Sequence, residues 1–186
     1  MYKYFKKLNY PINIKNKDLR MAKYIKTQLG GASGEMGAAI RYFCQKFTMP
    51  DDIGKSLLND IACEEMGHAE MVAEIFRQLT CDASPKELED AGLGDYYADF
   101  GMGVYPTDAS GNPFSVLVLA STGDPLTNLS EDMAAEQKAR AVYENLINLT
   151  DDVELINILL FLRQREVIHF NRFKELYDYY EKKLSV

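Results

Sequence analysis

One spacing of three ionisable residues occurs twice in this chain: a glutamate, a second glutamate thirty residues later, and a histidine three residues after that. The two copies are Glu35, Glu65 and His68, and then Glu136, Glu166 and His169. The sequence contains no other histidine. Residues three apart on a helix lie on one face, so each Glu-x-x-His pair can converge on one ion. Two helices that each carry a glutamate and two that carry Glu-x-x-His form the ligand set by which a four-helix bundle holds two metal ions.

Four glutamates in one core are unfavourable unless their charge is balanced. Together they carry a charge of about −4, and each uncompensated buried charge costs several kcal/mol. Two divalent cations cancel this charge. A carboxylate-rich set with two imidazoles suits manganese or iron, whereas zinc and copper sites favour cysteine or more histidine. A single Glu-x-x-His pair is usually a solvated surface pair, so the duplication is what favours a dinuclear metal site.

Apolar residues recur at steps of three and four in two long segments, which predicts two amphipathic helices. The first stripe is Leu58, Ile61, Glu65, His68, Val72, Ile75 and Leu79. The second stripe is Leu155, Leu159, Leu162, Glu166, His169, Phe173, Leu176 and Tyr180. In both stripes a glutamate and a histidine occupy positions that otherwise hold core residues.

Start and stop signals complete a set of four helices. The first is predicted from about Asp18 to about Phe47, with an interruption at Gly30 and Gly31, because glycine in a helix costs about 1 kcal/mol relative to alanine. The others are predicted to start at Pro50, Asn128 and Asp151, and the second and third to end near Leu79 and Thr150. The third is predicted to present one face made of Leu129, Met133, Glu136, Arg140, Tyr143 and Ile147.

The connection between the second and third helices is long. Residues 80–127 are rich in Gly, Pro, Asp and Tyr, with one short helix predicted over Pro85 to Ala91. A connection of this length usually spans a bundle from end to end and leaves the helices that it joins parallel. We therefore predict an all-α, ferritin-like four-helix bundle with one long crossover between helices 2 and 3. Residues 1–186 are predicted to form a single domain that begins with an extended segment, residues 1–17.

Small residues surround Glu35 in the sequence. They are Gly31, Ala32, Gly34, Gly37, Ala38 and Ala39. One interpretation is that another helix or another subunit packs tightly at this position. The alternative is a weak and flexible start of a helix. The sequence leaves both interpretations open.

Composition excludes several classes of function. The chain has 21 basic and 28 acidic residues, a net charge of −7, so nucleic acid is not an expected partner. The longest apolar run, Leu155 to Leu162, is far shorter than the ~20 residues of a membrane-spanning helix, so no membrane association is expected. The basic start lacks the apolar core of a secretion signal, which predicts a cytoplasmic protein. Cys44, Cys63 and Cys81 form no metal-binding spacing and are predicted to be small core residues in a reducing compartment.

The sequence resembles the manganese catalases, and most closely their short branch of CotJC-type spore-coat proteins. The resemblance covers nearly the whole chain. The segments that carry it include Gly30-Gly31-Ala32-Ser33-Gly34-Glu35, residues 60–73 around Glu65 and His68, Gly123-Asp124-Pro125-Leu126, Ala135-Glu136-Gln137-Lys138-Ala139-Arg140 and Arg165-Glu166-Val167-Ile168-His169.

The resemblance implies roles for the repeated residues. Glu35 and His68 would bind one manganese ion, Glu136 and His169 the other, and Glu65 would bridge the two. These five residues are the expected metal ligands.

The same resemblance implies roles for Glu166 and Tyr42, and the spacing along the helix indicates one for Arg140. Glu166 resembles a group that lies near metal-bound solvent without being a ligand, and it is the candidate proton carrier. Tyr42 lies seven residues after Glu35 and resembles a tyrosine that supports the ligands, although a core tyrosine with any hydrogen-bonding partner would have the same position. Arg140, one turn after Glu136, is expected to form an ion pair with it at a spacing of four residues rather than to act in catalysis.

The implied function is the disproportionation of hydrogen peroxide into water and dioxygen with two manganese ions as cofactors. The resemblance also implies a homo-oligomer and deposition with other spore-coat proteins, and it leaves the hexamer of the family open as one form of the assembly. Two other functions remain open from the sequence: a structural spore-coat protein with a vestigial metal site, and a di-iron ferritin-like peroxidase or ferroxidase.

Overall fold

The computed structural model of the chain describes residues 7–94, 103–119 and 121–184. Within these residues the regular structure consists of seven α-helices and two short 3₁₀ turns, without a β-strand. The helices are α1 (Leu19–Ile25), α2 (Thr27–Gly30), α3 (Glu35–Gln45), α4 (Asp52–Leu79), α5 (Pro85–Asp90), α6 (Pro125–Ile147) and α7 (Val153–Leu184). The 3₁₀ turns cover Lys46–Thr48 and Val116–Val118. The first predicted helix is thus divided into α1, α2 and α3, with a break after Gly30.

One end of the bundle is defined by two hydrogen bonds between distant parts of the chain. The backbone N–H of Asp18 donates to the carbonyl of Leu79 over 3.0 Å, which places the start of α1 beside the end of α4. Arg20 donates from Nη2 to the carbonyl of Leu149 over 2.7 Å. The end of α6 therefore lies at the same end of the bundle as the end of α4.

The opposite end brings together the starts of α4 and α6. Asn128 donates from Nδ2 to Oγ1 of Thr48 over 3.3 Å, so the start of α6 lies beside the turn that precedes α4. Tyr180, near the end of α7, donates its hydroxyl to Oδ1 of Asp51 over 2.6 Å. Helices α4 and α6 thus run parallel, and α7 runs in the opposite direction. The prediction of a ferritin-like four-helix bundle with one long crossover is confirmed.

Three helices begin at other residues than the sequence predicted, with α7 beginning at Val153 rather than Asp151. Helix α4 begins after Pro50, because Asp51 accepts hydrogen bonds from the backbone N–H groups of Ile53 and Gly54 and acts as the N-cap. Helix α6 begins at Pro125 with Asp124 as its N-cap, three residues before the predicted start. The side chain of Asn128 does not cap α6. It accepts a hydrogen bond from the backbone N–H of Thr122 and so ties the crossover to the helix.

The buried face of α6 also differs from the prediction. Asp132 and Ala139 are buried, whereas Met133 and Arg140 are partly exposed. Apolar character favoured Met133 in the sequence, but the face that follows Leu129 at helical steps contains the aspartate. A buried acidic side chain is rare, and this position could not be identified from hydrophobicity.

The crossover packs against the small residues on both sides of the break between α2 and α3. A Cβ atom on Gly30 would lie 2.5 Å from the backbone nitrogen of Thr107, which leaves no room for a side chain. A Cβ on Gly37 would lie 3.8 Å from Cγ2 of Val118. Arg41 donates from Nη2 to the carbonyl of Val118 over 3.0 Å. Packing of the crossover thus accounts for the lack of a side chain at Gly30.

The surface of the described residues corrects one expectation about the cysteines. Cys44, Cys63 and Cys81 are all exposed and none forms a disulfide, so their prediction as core residues was wrong. Each lies on a helix surface or just after a helix end, where the apolar stripe does not pass. Of the helices described, none is both long enough and apolar enough to cross a membrane.

We expect the substitution Gly30→Ala to lower the free energy of unfolding by about 1–3 kcal/mol, because the added methyl group collides with the backbone of Pro106 and Thr107. Gly37→Ala is the matched control. Its Cβ makes only an ordinary contact at 3.8 Å, and alanine contributes up to about 1 kcal/mol of helix propensity. Denaturant unfolding of both variants measures the difference. Equal stability of the two would contradict the packing of the crossover on α2.

Candidate metal centre

Six ionisable side chains meet in the centre of the bundle. Each is 2% exposed or less: Glu35 from α3, Glu65 and His68 from α4, Glu136 from α6, and Glu166 and His169 from α7. The structure therefore brings together all of the residues that the repeated spacing singled out.

Two apolar clusters enclose these residues along the helices. On α4, Leu58 belongs to one cluster and Val72 to the other, with the Glu-x-x-His pair between them. On α7, Leu162 and Phe173 flank the second pair in the same way. Because the flanking side chains are in line with the pairs on each helix, burying the stripe also buries the ionisable groups.

Glu65 lies between the two histidines. Its Oε2 is 2.7 Å from Nδ1 of His68, and its Oε1 is 2.6 Å from Nδ1 of His169. The two imidazole rings stack with their centroids 5.6 Å apart. One carboxylate thus faces the same ring nitrogen of both histidines, which is the position of a group shared between two halves of a site.

Glu35 and Glu136 occupy equivalent outer positions. Oε2 of Glu35 lies 3.8 Å from Nδ1 of His68, and Oε2 of Glu136 lies 3.6 Å from Nδ1 of His169. Glu166 lies close to both histidines and to Glu65. The possible ligand atoms of these four residues all lie within 4.8 Å of one another. Each half of the site therefore offers one outer glutamate and one histidine around the shared carboxylate.

Two buried tyrosines connect the outer glutamates crosswise. Tyr42 of α3 donates its hydroxyl to Oε1 of Glu136 on α6. Tyr143 of α6 donates its hydroxyl to Oε1 of Glu35 on α3. Sequence analysis singled out Tyr42 as a site residue but not Tyr143. The signal was present, because each tyrosine follows the glutamate of its own helix by seven residues.

Burial and mutual repulsion disfavour the ionised form of three carboxylates. Burial, and then the charge of Glu65, raises the pKa of Glu35 well above its usual range and also raises the pKa of Glu136. Burial, and then the charge of Glu35, raises the pKa of Glu166 well above its usual range. Glu65 differs from these. Burial opposes its ionisation, but the positive charges of the two histidines outweigh burial and hold its pKa well below the usual value.

Both histidines are shifted toward the protonated form. Burial by itself would lower the pKa of each imidazole, but the negative charge of Glu65 and the contacts with other carboxylates outweigh burial. The pKa of His68 is raised to about 10 and the pKa of His169 to about 12. The protein alone therefore balances its buried negative charge with protons, which a metal ion would have to displace.

Several buried polar atoms of the cluster form no hydrogen bond, although some lie close to other polar atoms. Among the described residues, these atoms include Oε1 of Glu65, Nε2 of His68, Oε2 of Glu136, Oε1 of Glu166 and both ring nitrogens of His169. Buried polar atoms without partners are rare in folded proteins and call for a specific cause, such as a bound ion. Carboxylate oxygens and imidazole nitrogens suit manganese and iron. The residues present therefore fit a metal site.

A small cavity lies between α3, α6 and α7 beside the cluster. Its lining combines four site residues with mostly small ones: Glu35, Tyr42, Glu136, Glu166, Ala32, Ser33, Gly34, Ala38, Arg41, Ala135 and Ala139. It leaves about 10 Å³ for the centre of a water-sized molecule, which is room for about one water. Ala32 is exposed, so the cavity extends from the cluster toward the surface.

Arg140 takes no part in the cluster. Its Nη1 lies 2.7 Å from Oε2 of Glu144, four residues further along α6, and its Nε donates to Oε1 of Gln137. The ion pair at four residues therefore forms with Glu144, and the prediction of Glu136 as the partner was wrong, because the carboxylate of Glu136 lies in the cluster.

Comparison with known proteins adds independent information. Residues 1–184 match the family model described as manganese containing catalase. Protein CotJC of Bacillus subtilis is 45% identical over 175 residues, which cover 94% of this chain and 92% of that protein. A probable manganese catalase of Clostridium acetobutylicum is 32% identical over 94% of this chain and 79% of its own length.

A solved structure agrees with these matches. The crystal structure of KatB, a manganese catalase from Anabaena, superimposes with a TM-score of 0.87 at 33% identity, and the match covers 98% of this chain and 82% of that one. The sequence match and the shared fold lead to the same conclusion. This chain belongs to the family of manganese-containing catalases.

Proposed function

We propose that this chain is a manganese-dependent catalase, which converts two molecules of hydrogen peroxide into two of water and one of dioxygen. The observation that carries the proposal is the position of Glu65 between two matching halves, each with one glutamate and one histidine. This arrangement suits two ions held side by side. Family membership and the relatives named as manganese catalases support the same reaction.

Five side chains hold the ions in this proposal. Glu35 and His68 bind one ion, Glu136 and His169 bind the other, and Glu65 contacts both. Bound manganese would hold the two electrons that pass from one peroxide to the other, because it can change between divalent and trivalent states. The same donors suit iron, and the activity of protein loaded with each metal separately distinguishes the two cofactors.

Glu166 is proposed to carry the protons. Oxidation of one peroxide to dioxygen releases two protons and two electrons, and reduction of a second peroxide to water consumes them. Oε1 of Glu166 is buried, lacks a hydrogen-bonding partner among the described residues, and belongs to a side chain that lines the small cavity. Once bound ions have displaced the proton that its raised pKa retains, it can accept one of the two protons released by a peroxide in the cavity and return it in the second half of the reaction, while the other proton passes to solvent.

Tyr42 and Tyr143 are proposed to orient the outer glutamates. Each hydroxyl donates to Oε1 of its glutamate, while Oε2 of the same carboxylate faces a histidine of the cluster. A carboxylate that is fixed at one oxygen has less freedom to lose when the other oxygen binds an ion. The small size of the cavity beside Tyr42 supports a substrate of only a few atoms.

We expect manganese to bind more tightly as the pH rises from 6 to 8. The pKa values of Glu35, Glu136 and Glu166 are raised by burial and neighbouring carboxylates, and those of both histidines are raised by carboxylates, so protons must leave before these groups can act as ligands. The apparent affinity should increase by about tenfold per pH unit for each proton released. Calorimetric titration with Mn²⁺ in buffers of different ionisation enthalpy measures the affinity and the number of protons released. An affinity that does not change with pH would count against displacement of protons by the metal.

The substitution Glu166→Gln should leave two manganese ions bound and slow oxygen release by about 100-fold or more, because the amide cannot accept and return a proton. Elemental analysis and an oxygen electrode measure the two outcomes. Glu175→Gln, at an exposed position of the same helix, is the control and should keep the original rate. A Glu166→Gln variant with both ions and an unchanged rate would rule out the proton role.

We also propose that the protein is deposited in a spore coat as an assembly of several copies, with the hexamer as the proposed form. Its similarity to CotJC supports the location, and the strongly exposed side chains of Phe47 and Leu117 support contacts between copies. A tagged chain expressed in a spore-forming host should be recovered in the coat fraction. Its presence in the cells but not in the coat extract would contradict this location.

A further inference from the structure

Glu64 lies directly outside the cluster and contacts both histidines from their far side. Its Oε1 is 3.5 Å from Nε2 of His68, and its Oε2 is 3.2 Å from Nε2 of His169. The side chain is 23% exposed, so it lies at the boundary between core and solvent. The two oxygens of one carboxylate thus face the outer nitrogens of both imidazoles.

Arg165 holds this carboxylate from the neighbouring helix. Its Nε is 2.6 Å from Oε1 of Glu64. Both side chains form part of the wall of a surface groove, so solvent reaches the pair from outside. Glu64 immediately precedes Glu65 on α4, and Arg165 immediately precedes Glu166 on α7. The two matching halves of the site therefore carry opposite charges at the same position, and these charges form one pair.

The contacts of each imidazole determine which nitrogen can bind a metal. In a neutral imidazole one nitrogen carries the proton and the other carries the free electron pair. A carboxylate that accepts a hydrogen bond from the N–H group at Nε2 keeps the proton there and leaves the free electron pair on Nδ1. In both His68 and His169, Nδ1 is the nitrogen that faces Glu65 at the centre of the site.

We propose that Glu64, held in place by Arg165, is a positioning residue that orients both histidine ligands at once. The inference rests on the proposed metal site. Both Nε2 atoms lie within 3.5 Å of this carboxylate, although neither has hydrogen-bonding geometry in this structure. With a proton on each Nε2 and an ion at each Nδ1, the single carboxylate would accept one hydrogen bond from each histidine and so direct both Nδ1 atoms toward the ions. The two halves of the metal site thereby share one support on the solvent side as well as the carboxylate of Glu65 at the centre.

The first test is Mn²⁺ binding by the full chain with the substitution Glu64→Gln. The neutral amide has one acceptor oxygen for two N–H groups, so the affinity should fall by about 10-fold to 100-fold. Glu74→Gln is the matched control. Glu74 lies on the same helix, is 25% exposed and is paired with Arg77 at 2.6 Å, but it is remote from the histidines. This control should bind Mn²⁺ as the unchanged protein does.

The second test measures directly which nitrogen of each histidine carries the proton. The chain contains only two histidines, so a nitrogen spectrum of labelled protein loaded with diamagnetic Zn²⁺ shows only two imidazoles. In the unchanged protein both should carry their proton on Nε2, with a downfield shift caused by the carboxylate. Glu64→Gln should remove this shift from both rings. A purely structural effect of the substitution would lower thermal stability without changing these two signals.

Arg165→Gln tests the support of the carboxylate. Glu64 keeps its charge in this variant but loses its partner, so the Mn²⁺ affinity should fall less than in Glu64→Gln. Arg163→Gln is the control, because Arg163 lies on the same helix and pairs instead with Glu144 at 2.6 Å. It should leave the Mn²⁺ affinity and both histidine signals unchanged.

The outcomes separate this inference from the proposed function. If the unchanged protein binds two manganese ions and Glu64→Gln binds them equally well, the positioning role is overturned and the metal site stands. Protons on Nδ1 in the Zn²⁺-loaded protein would also overturn the positioning role. If the unchanged protein binds no manganese, the proposed function fails and this inference fails with it.

Discussion

The structure depends on one unfavourable condition: four carboxylates and two imidazoles are buried together in the core of the bundle. Burial raises the pKa of Glu35 and Glu166 and would lower those of the histidines, while Glu65 remains ionised between two positive rings. The protein alone can meet this condition only by sharing protons. Divalent ions would instead neutralise the buried carboxylates with positive charge, which is why so polar a cluster can be retained in an otherwise apolar core.

The site is built from two matching halves that support each other. Positions 35, 42, 65 and 68 recur at 136, 143, 166 and 169, always 101 residues later. The hydroxyl of each tyrosine reaches the outer glutamate of the other half, so neither half is complete alone. The halves differ in the position of the glutamate that precedes each histidine, because Glu65 lies between the histidines and Glu166 lines the cavity.

The crossover explains features that the local sequence could not. Gly30 must be glycine because the backbone of Pro106 and Thr107 lies against it, although these residues are more than seventy positions away. Sequence analysis recognised the small residues near Glu35 but not the element that covers them. Asp132 was missed for a related reason, since hydrophobicity favoured its neighbour Met133 and burial is decided by the face of α6.

The sequence by itself determined the helical class, the single long crossover, and the six ionisable residues that meet in the core, because a helix converts regular spacing into a common face. The sequence also contained the signal for Tyr143, because Tyr143 follows Glu136 by seven residues, as Tyr42 follows Glu35. Only the tertiary structure decided that the tyrosines cross between the halves and that Glu64 and Arg165 meet over both histidines. These contacts join residues about a hundred positions apart, and the packing of four helices sets which side chains come within hydrogen-bonding distance.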